Sequence, residues 1–165
     1  MPSDPKSSSG VHIRLATNAD IAAMAAVVNA AFAIETFLEG QRTDQAGIAE
    51  MMKKGDFLLA KDPSGRSVAC VYVETSGERG YFGMLAVDPS EQSKGLGRVM
   101  VEAAEDYCRR RGCKFMEISV LSLRTELLPF YRKFGYLESG RQEFHSSRRL
   151  SYGLECHCIM MSKLL

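Results

Sequence analysis

The chain has 165 residues, 45% hydrophobic and 25% charged, values that exclude a disordered or fibrous chain and allow a core that needs no staples. A net charge of +1 and a pI near 7.6 exclude a strong electrostatic pull toward nucleic acid or membrane. No run approaches the roughly 18 apolar residues of a membrane span, and the Ser- and Pro-rich start lacks the apolar stretch of a signal peptide. Residues 1–10 read as a disordered tail and 11–165 as a single domain of a soluble, cytoplasmic protein.

In chain order, Val11, Ile13 and Leu15 alternate with polar residues as a short strand. Thr17, Asn18 and Asp20 offer caps to a helix whose stripe is Ile21, Met24, Ala25, Val28 and Phe32. Residues 33–42 have no period. A second helix starts near Thr43 or Asp44, turns Ile48, Met51 and Met52 inward and stops at Gly55. Strands at 57–61, 67–75 and 81–87 follow, separated by turns at 62–65 and 76–80, and Asp88-Pro89 ends the third. A helix over 95–111 buries Leu96, Met100, Ala103, Ala104, Tyr107 and Cys108, with arginines and Gly112 at its C-terminal end. A strand at 114–120, a short helix at 125–134 and closing strands at 136–144 and 154–163 complete the order βααβββαβαββ.

The five cysteines, Cys70, Cys108, Cys113, Cys156 and Cys158, are odd in number and lie mostly in apolar patterns, so no disulfide framework is expected. In Cys156-His157-Cys158, strand alternation turns the imidazole away from both sulfurs. No CxxC or HxxxH completes a ligand set, and no metal site is expected.

The most informative stretch is residues 83–97, GMLAVDPSEQSKGLG. A strand runs into a loop, and Gly95-Leu96-Gly97 opens a helix. A helix start exposes N–H groups and the positive dipole end, which suits phosphate; glycines let the backbone approach, and Lys94 and Arg98 add charge. The phosphate loop GxxxxGK[ST] is absent. The dinucleotide fingerprint GxGxxG fails at Met100, and Glu117 sits inside a strand rather than at its end.

Gln92-Ser93-Lys94-Gly95-Leu96-Gly97 fits the Q/R-x-x-G-x-G/A signature of the GNAT superfamily of N-acetyltransferases, and Tyr131-Arg132-Lys133-Phe134-Gly135-Tyr136 resembles its second hallmark, Y-x-x-x-G-[FY]. The likeness runs over residues 11–163. It implies a mixed α/β (α+β) fold, GNAT-like, with a mainly antiparallel central sheet flanked by helices and splayed beside the cofactor loop. It also implies acetyl-CoA as co-substrate. Gln92, Ser93, Lys94, Gly95, Leu96, Gly97 and Arg98 would lie at its phosphates. The backbones of Leu85, Ala86 and Val87 would pair with the pantetheine arm, one N–H polarising the thioester carbonyl. Tyr131 would be the general acid; a plain core tyrosine is the alternative. Where many family members carry an Asn that contacts the cofactor, this chain has Arg124, a candidate for a phosphate, a carboxylate or a helix carbonyl.

The acceptor amine must be neutral, and only about one in a thousand is so at pH 7. Strand 81–87 holds no carboxylate, which leaves Glu117, Glu74 and Glu35 as candidate bases, or a water wire instead. Residues 33–42, with Glu35 and Glu39, would suit a cationic amine with an apolar body, or simply cover the core. His145, Arg148 and Arg149 would hold an acceptor carboxylate or form a solvated loop. Three functions follow from the resemblance: acetylation of a small amine, acetylation of a protein or peptide, and a non-catalytic acyl-CoA sensor. The closing strands are also candidates for a homodimer contact.

Overall fold

The computed structural model describes residues 10–165; all but the last residue of the expected tail lie outside the described residues. The helices and strands are β1 (His12–Leu15), α1 (Ile21–Phe32), α2 (Gln45–Met52), β2 (Asp56–Lys61), β3 (Ser67–Ser76), β4 (Arg79–Val87), α3 (Leu96–Arg110), β5 (Phe115–Leu121), α4 (Leu127–Arg132), β6 (Leu137–Glu143) and β7 (His157–Leu164), in the expected order. The strands form one seven-stranded sheet in the order β1-β2-β3-β4-β5-β7-β6. Only β4 and β5 run parallel, as a strand–helix–strand crossover through α3 requires.

β2 and β3 read as near-continuous apolar runs because helices cover both faces of the sheet. Phe57, Leu59, Cys70 and Tyr72 pack under α1 and α2 with Met24, Val28 and Ile48. Leu58, Val71, Val73 and Phe82 pack on the other face under α3 with Met100, Ala104 and Cys108. The expected stripe of α3 is buried except for Tyr107, whose hydroxyl donates to Asp56. α1 buries Met24, Ala25, Val27 and Val28, whereas Phe32 at its end is only partly covered. The Asp44 side chain caps α2 by accepting from the Gly47 N–H at 2.7 Å.

Several boundaries differ from expectation. β4 begins at Arg79 rather than residue 81, because Arg79 and Gly80 pair with Ser76 and Thr75. α4 spans only Leu127–Arg132, because Gly135 turns the chain at φ +94°. β7 begins at His157 rather than residue 154: its partners β5 and β6 end at Leu121 and Glu143, opposite Cys158 and His157, so earlier residues have no ladder to join. Among the described residues no helix is long and apolar enough to cross a membrane.

Candidate active site

The parallel pairing of β4 and β5 covers only Arg79↔Phe115, Gly80↔Met116 and Tyr81↔Glu117. β5 stays bonded to β7 along its length, to Leu121↔Cys158. Beyond Tyr81, therefore, β4 and β5 diverge, and the main-chain groups on that side of β4 have no strand to bond. A bulge sharpens the divergence. Tyr72 faces Gly83 and Cys70 faces Ala86, so Met84 and Leu85 together oppose Val71. Met84 takes φ +50°, which a side chain seldom adopts. The slip reverses side-chain alternation, so that Phe82, Leu85 and Val87 face α3 while Tyr81, Met84 and Ala86 face α1. The wedge holds a cleft of ≈ 780 Å³.

One end of the cleft is the start of α3. Ser93 and Gly95 have φ of +69° and +82°, and no side chain caps the helix, which leaves its first N–H groups facing the opening. The two glycines of the motif serve different ends. Gly95 supplies the left-handed turn. A Cβ at Gly97 would come within 3.2 Å of the Phe130 ring, so this glycine lets α4 close on α3. Gln92 Nε2 donates to the Val87 carbonyl at 3.1 Å, tying the loop to β4. Arg98 lines the cleft over the Phe134 ring, and Lys133, which sequence reasoning did not single out, lines it as well. Leu85, Val87, Ser93 and Leu96 also line it. Ala86 is buried in the core, and Lys94 points away, paired with Glu91 at 3.0 Å.

Tyr131 projects from α4 into the wedge, its ring packed on Phe82, Phe130 and Tyr136. Among the described residues nothing hydrogen-bonds its hydroxyl. Burial pushes its pKa well above the ordinary phenol value, and the positive charge of Arg124 works against that shift. The other tyrosine of the motif differs: the Tyr136 hydroxyl donates to Glu105 at 3.3 Å, and Lys163 pairs with the same carboxylate at 2.8 Å. Tyr136 is thus tied into a buried polar network, and Tyr131 is left open to the cleft.

The opposite end lies under α1. Glu35, 3% exposed, accepts from Arg124 Nη1 at 2.8 Å and lies 3.7 Å from Arg148 Nη1. Arg124, on the loop after β5, also donates from Nε to Glu126 at 2.6 Å. The carboxylate partners of Arg124 are therefore internal. Arg148 is no solvated loop residue: its Nε and Nη2 donate to the carbonyls of Glu39 and Gly40 at 3.1 and 3.0 Å. These bonds, with the bridge Leu38↔Leu150, fasten the loop between β6 and β7 to the segment after α1. Arg149 does not line the cleft; His145 does. Neither Glu117 nor Glu74 lines it. Glu117 lies 3.5 Å from Arg79, and Glu74 accepts from the Tyr72 hydroxyl at 2.7 Å. Of the candidate bases, only Glu35 is brought to the cleft, and there it is enclosed by guanidiniums. No group of three or more His, Cys, Asp or Glu able to hold a metal occurs among the described residues.

A sheet opened between its one parallel pair, with a glycine-turned helix start at the opening, offers an anion site beside an unpaired strand edge. A model of the acetyltransferase (GNAT) family matches residues 23–136, and the chain belongs to that family, which uses acetyl-CoA. It is 30% identical over 107 residues to the glucosamine 6-phosphate N-acetyltransferase of Trypanosoma brucei brucei, across 59% of this chain and 71% of that protein. To the mycothiol acetyltransferase of Clavibacter sepedonicus it is 28% identical over 82 residues, half of this chain but only 27% of that longer protein. A Salmonella typhimurium protein solved with its cofactor acetyl-CoA superposes with a TM-score of 0.71 at 19% identity, over 94% of each chain, a likeness of fold.

Proposed function

We propose that this protein transfers the acetyl group of acetyl-CoA to the primary amine of a small molecule by direct attack within a ternary complex. The observation that carries the reading is the wedge itself. An uncapped helix start lies at one end, and inside, the hydroxyl of the largely buried Tyr131 opens to the cleft with no hydrogen-bond partner among the described residues. The residues fit the donor. The N–H groups at Gly95, Leu96, Gly97 and Arg98 would hold phosphate oxygens with Ser93, and Arg98 and Lys133 would supply charge. The open edge of β4 at Leu85 and Val87 would pair with an extended amide chain, one N–H polarising the carbonyl. Gln92 would hold the loop in place, Lys94 would add only outer charge, and Ala86 would contribute main chain alone.

Acetyl-CoA supplies an acetyl group activated as a thioester. As the amine nitrogen bonds to the acetyl carbon and the carbon–sulfur bond breaks, Tyr131 would deliver its proton to the departing sulfur. Its raised pKa keeps it protonated at the cost of a more uphill donation, and the positive charge of Arg124 opposes only part of that rise. Glu35, Glu74 and Glu117 are each engaged elsewhere. The amine would therefore lose its proton to water in the cleft.

The loop between β6 and β7, which lines the cleft at Phe144, His145 and Ser146, is fastened to the segment after α1 by the Leu38↔Leu150 bridge. This closed connection beside the mouth favours a small acceptor over a peptide. The test is release of thiol from acetyl-CoA across a panel of amines, amino acids and short peptides. Turnover with a preferred small amine, sharply reduced in Tyr131→Phe while acetyl-CoA binding is kept, is expected. Saturable binding with no turnover would favour the sensor, and no binding would overturn the donor assignment.

A further inference from the structure

The acceptor end of the cleft carries a charge arrangement that acetyl transfer itself does not use. Three guanidiniums, of Arg42, Arg124 and Arg148, gather at the end of α1. Arg124 and Arg148 flank Glu35, and Arg124 also pairs with Glu126. Arg42 is the cation left over. Among the described residues no carboxylate pairs with it; its Nε contacts only the Met84 thioether at 3.4 Å, a weak acceptor, and its guanidinium stacks over Phe32 at 5.1 Å. Arg124 lies over the same ring at 6.0 Å, so both cations gather around Phe32.

Half-buried, Arg42 sits on the cleft wall beside Tyr81 and the Met84 bulge. Its charge also reaches its neighbours. It opposes the burial-driven rise in the Tyr81 pKa, and it adds to the lowering of the Arg148 pKa that burial begins. Of the described side chains lining the cleft, Glu35 is the only carboxylate, and its charge is already shared by two guanidiniums. A cationic body, expected from Glu35 and Glu39, would meet net positive charge here. Glu39 does not line the cleft.

We infer that the acceptor is an anionic amine, one that carries a carboxylate or a phosphate, and that Arg42 binds this anion at the α1 end of the cleft with Arg124 beside it. The inference rests on the acetyltransferase reading and narrows its substrate class. A planar guanidinium with its forward donors unused matches the paired oxygens of either anion. The anion would then hold the amine in the wedge, where β4 and β5 part.

The test uses the full chain and paired acceptors with and without the anion, with kcat/KM expressed per neutral amine because the anion also raises the amine pKa. The pairs are an amino acid against its methyl ester, and phosphoethanolamine and glucosamine 6-phosphate against ethanolamine and glucosamine. kcat/KM is expected to favour the anionic member by about ten- to a hundredfold, the worth of charge-assisted hydrogen bonds. Arg42→Met should bring the ratio close to one, and Arg42→Lys should restore part of it, with melting temperatures confirming that both variants fold. The carboxylate and phosphate arms show which anion is natural. Preference for the neutral members, or a preference that survives Arg42→Met, overturns the inference and leaves the acetyltransferase reading intact. Direct binding, followed by NMR line broadening of the same acceptors with coenzyme A present, is independent of turnover. No saturable binding of any anionic member overturns the inference even where no acetyl transfer is seen.

Discussion

Tyr131 and Tyr136 lie in one motif but are predicted to behave in opposite ways. Removing the Tyr131 hydroxyl takes away a group without a hydrogen-bond partner among the described residues, so Tyr131→Phe should leave stability within about 0.5 kcal/mol while lowering kcat. Tyr136→Phe strips a partner from the buried Glu105–Lys163 pair and should cost about 1–3 kcal/mol. Paired thermal melts and turnover numbers check both. As the proposed acid, Tyr131 would have to be protonated to act, and its pKa is raised, so the profile of kcat/KM should climb with pH as the amine is neutralised. It should show no falling limb below about pH 10. A fall near neutrality would point to a different acid. Glu35 gives a further contrast. Glu35→Ala leaves Arg124 and Arg148 facing each other in a buried site and should cost about 3–5 kcal/mol. Glu117→Gln, at a partly exposed ion pair 3.5 Å long, should change stability by less than about 1 kcal/mol. Full stability with lost turnover in Glu35→Gln would instead restore Glu35 as the base. Sequence reasoning singled out Glu35 and Arg124 separately, one as a base and the other as a departure from the family. That they neutralise each other could not be read from positions 89 residues apart.

Among the elements, order and type were legible where an apolar period matches a covered face: continuous runs in β2 and β3 and a helical stripe in α3. At β1, by contrast, only Val11 and Ile13 of the alternating set are partly covered, and Leu15 is exposed. Ends set by tertiary partners were not legible, as the late start of β7 shows. Nor was the β4 bulge, since nothing in GMLAV announces that Met84 will take a positive φ. The glycine motif was legible as a helix start, but not the division of labour within it, which now predicts separable defects. Gly95→Ala forces a Cβ onto φ +82°, strain of about 1–2 kcal/mol in the loop that would hold phosphate, and should raise KM for acetyl-CoA more than it lowers kcat. Gly97→Ala keeps its backbone but presses on Phe130, the neighbour of Tyr131 on α4, and should lower kcat more than it raises KM. Initial-rate kinetics over both substrates separate the two, and identical profiles would refute this division.

On the scale of the whole molecule, the two ends of the cleft differ in how they are encoded. The end proposed for the donor is nearly contiguous, residues 83–98 with α4 added, so a local motif discloses it. The end proposed for the acceptor draws Phe32, Glu35 and Arg42 from one segment, Tyr81 and Met84 from β4, Arg124 after β5 and His145 before β7, and only the folded sheet joins them. The same layout makes the wedge a weak seam: β4 and β5 share three ladder positions, and beyond them the halves of the sheet are held through α3, α4 and the docked loop. A donor lying between the strands would bond what the sheet leaves open, so binding should stabilise the fold as a unit. At a hundred times Kd, acetyl-CoA would add about 2.7 kcal/mol, a rise in Tm of roughly 5–10 °C for a chain of this size. Hydrogen exchange should slow together in residues 82–87 of β4 and 118–121 of β5. A similar rise in Tm with protection confined to the start of α3 would mean that the donor is held by its phosphates alone and that the wedge stays open.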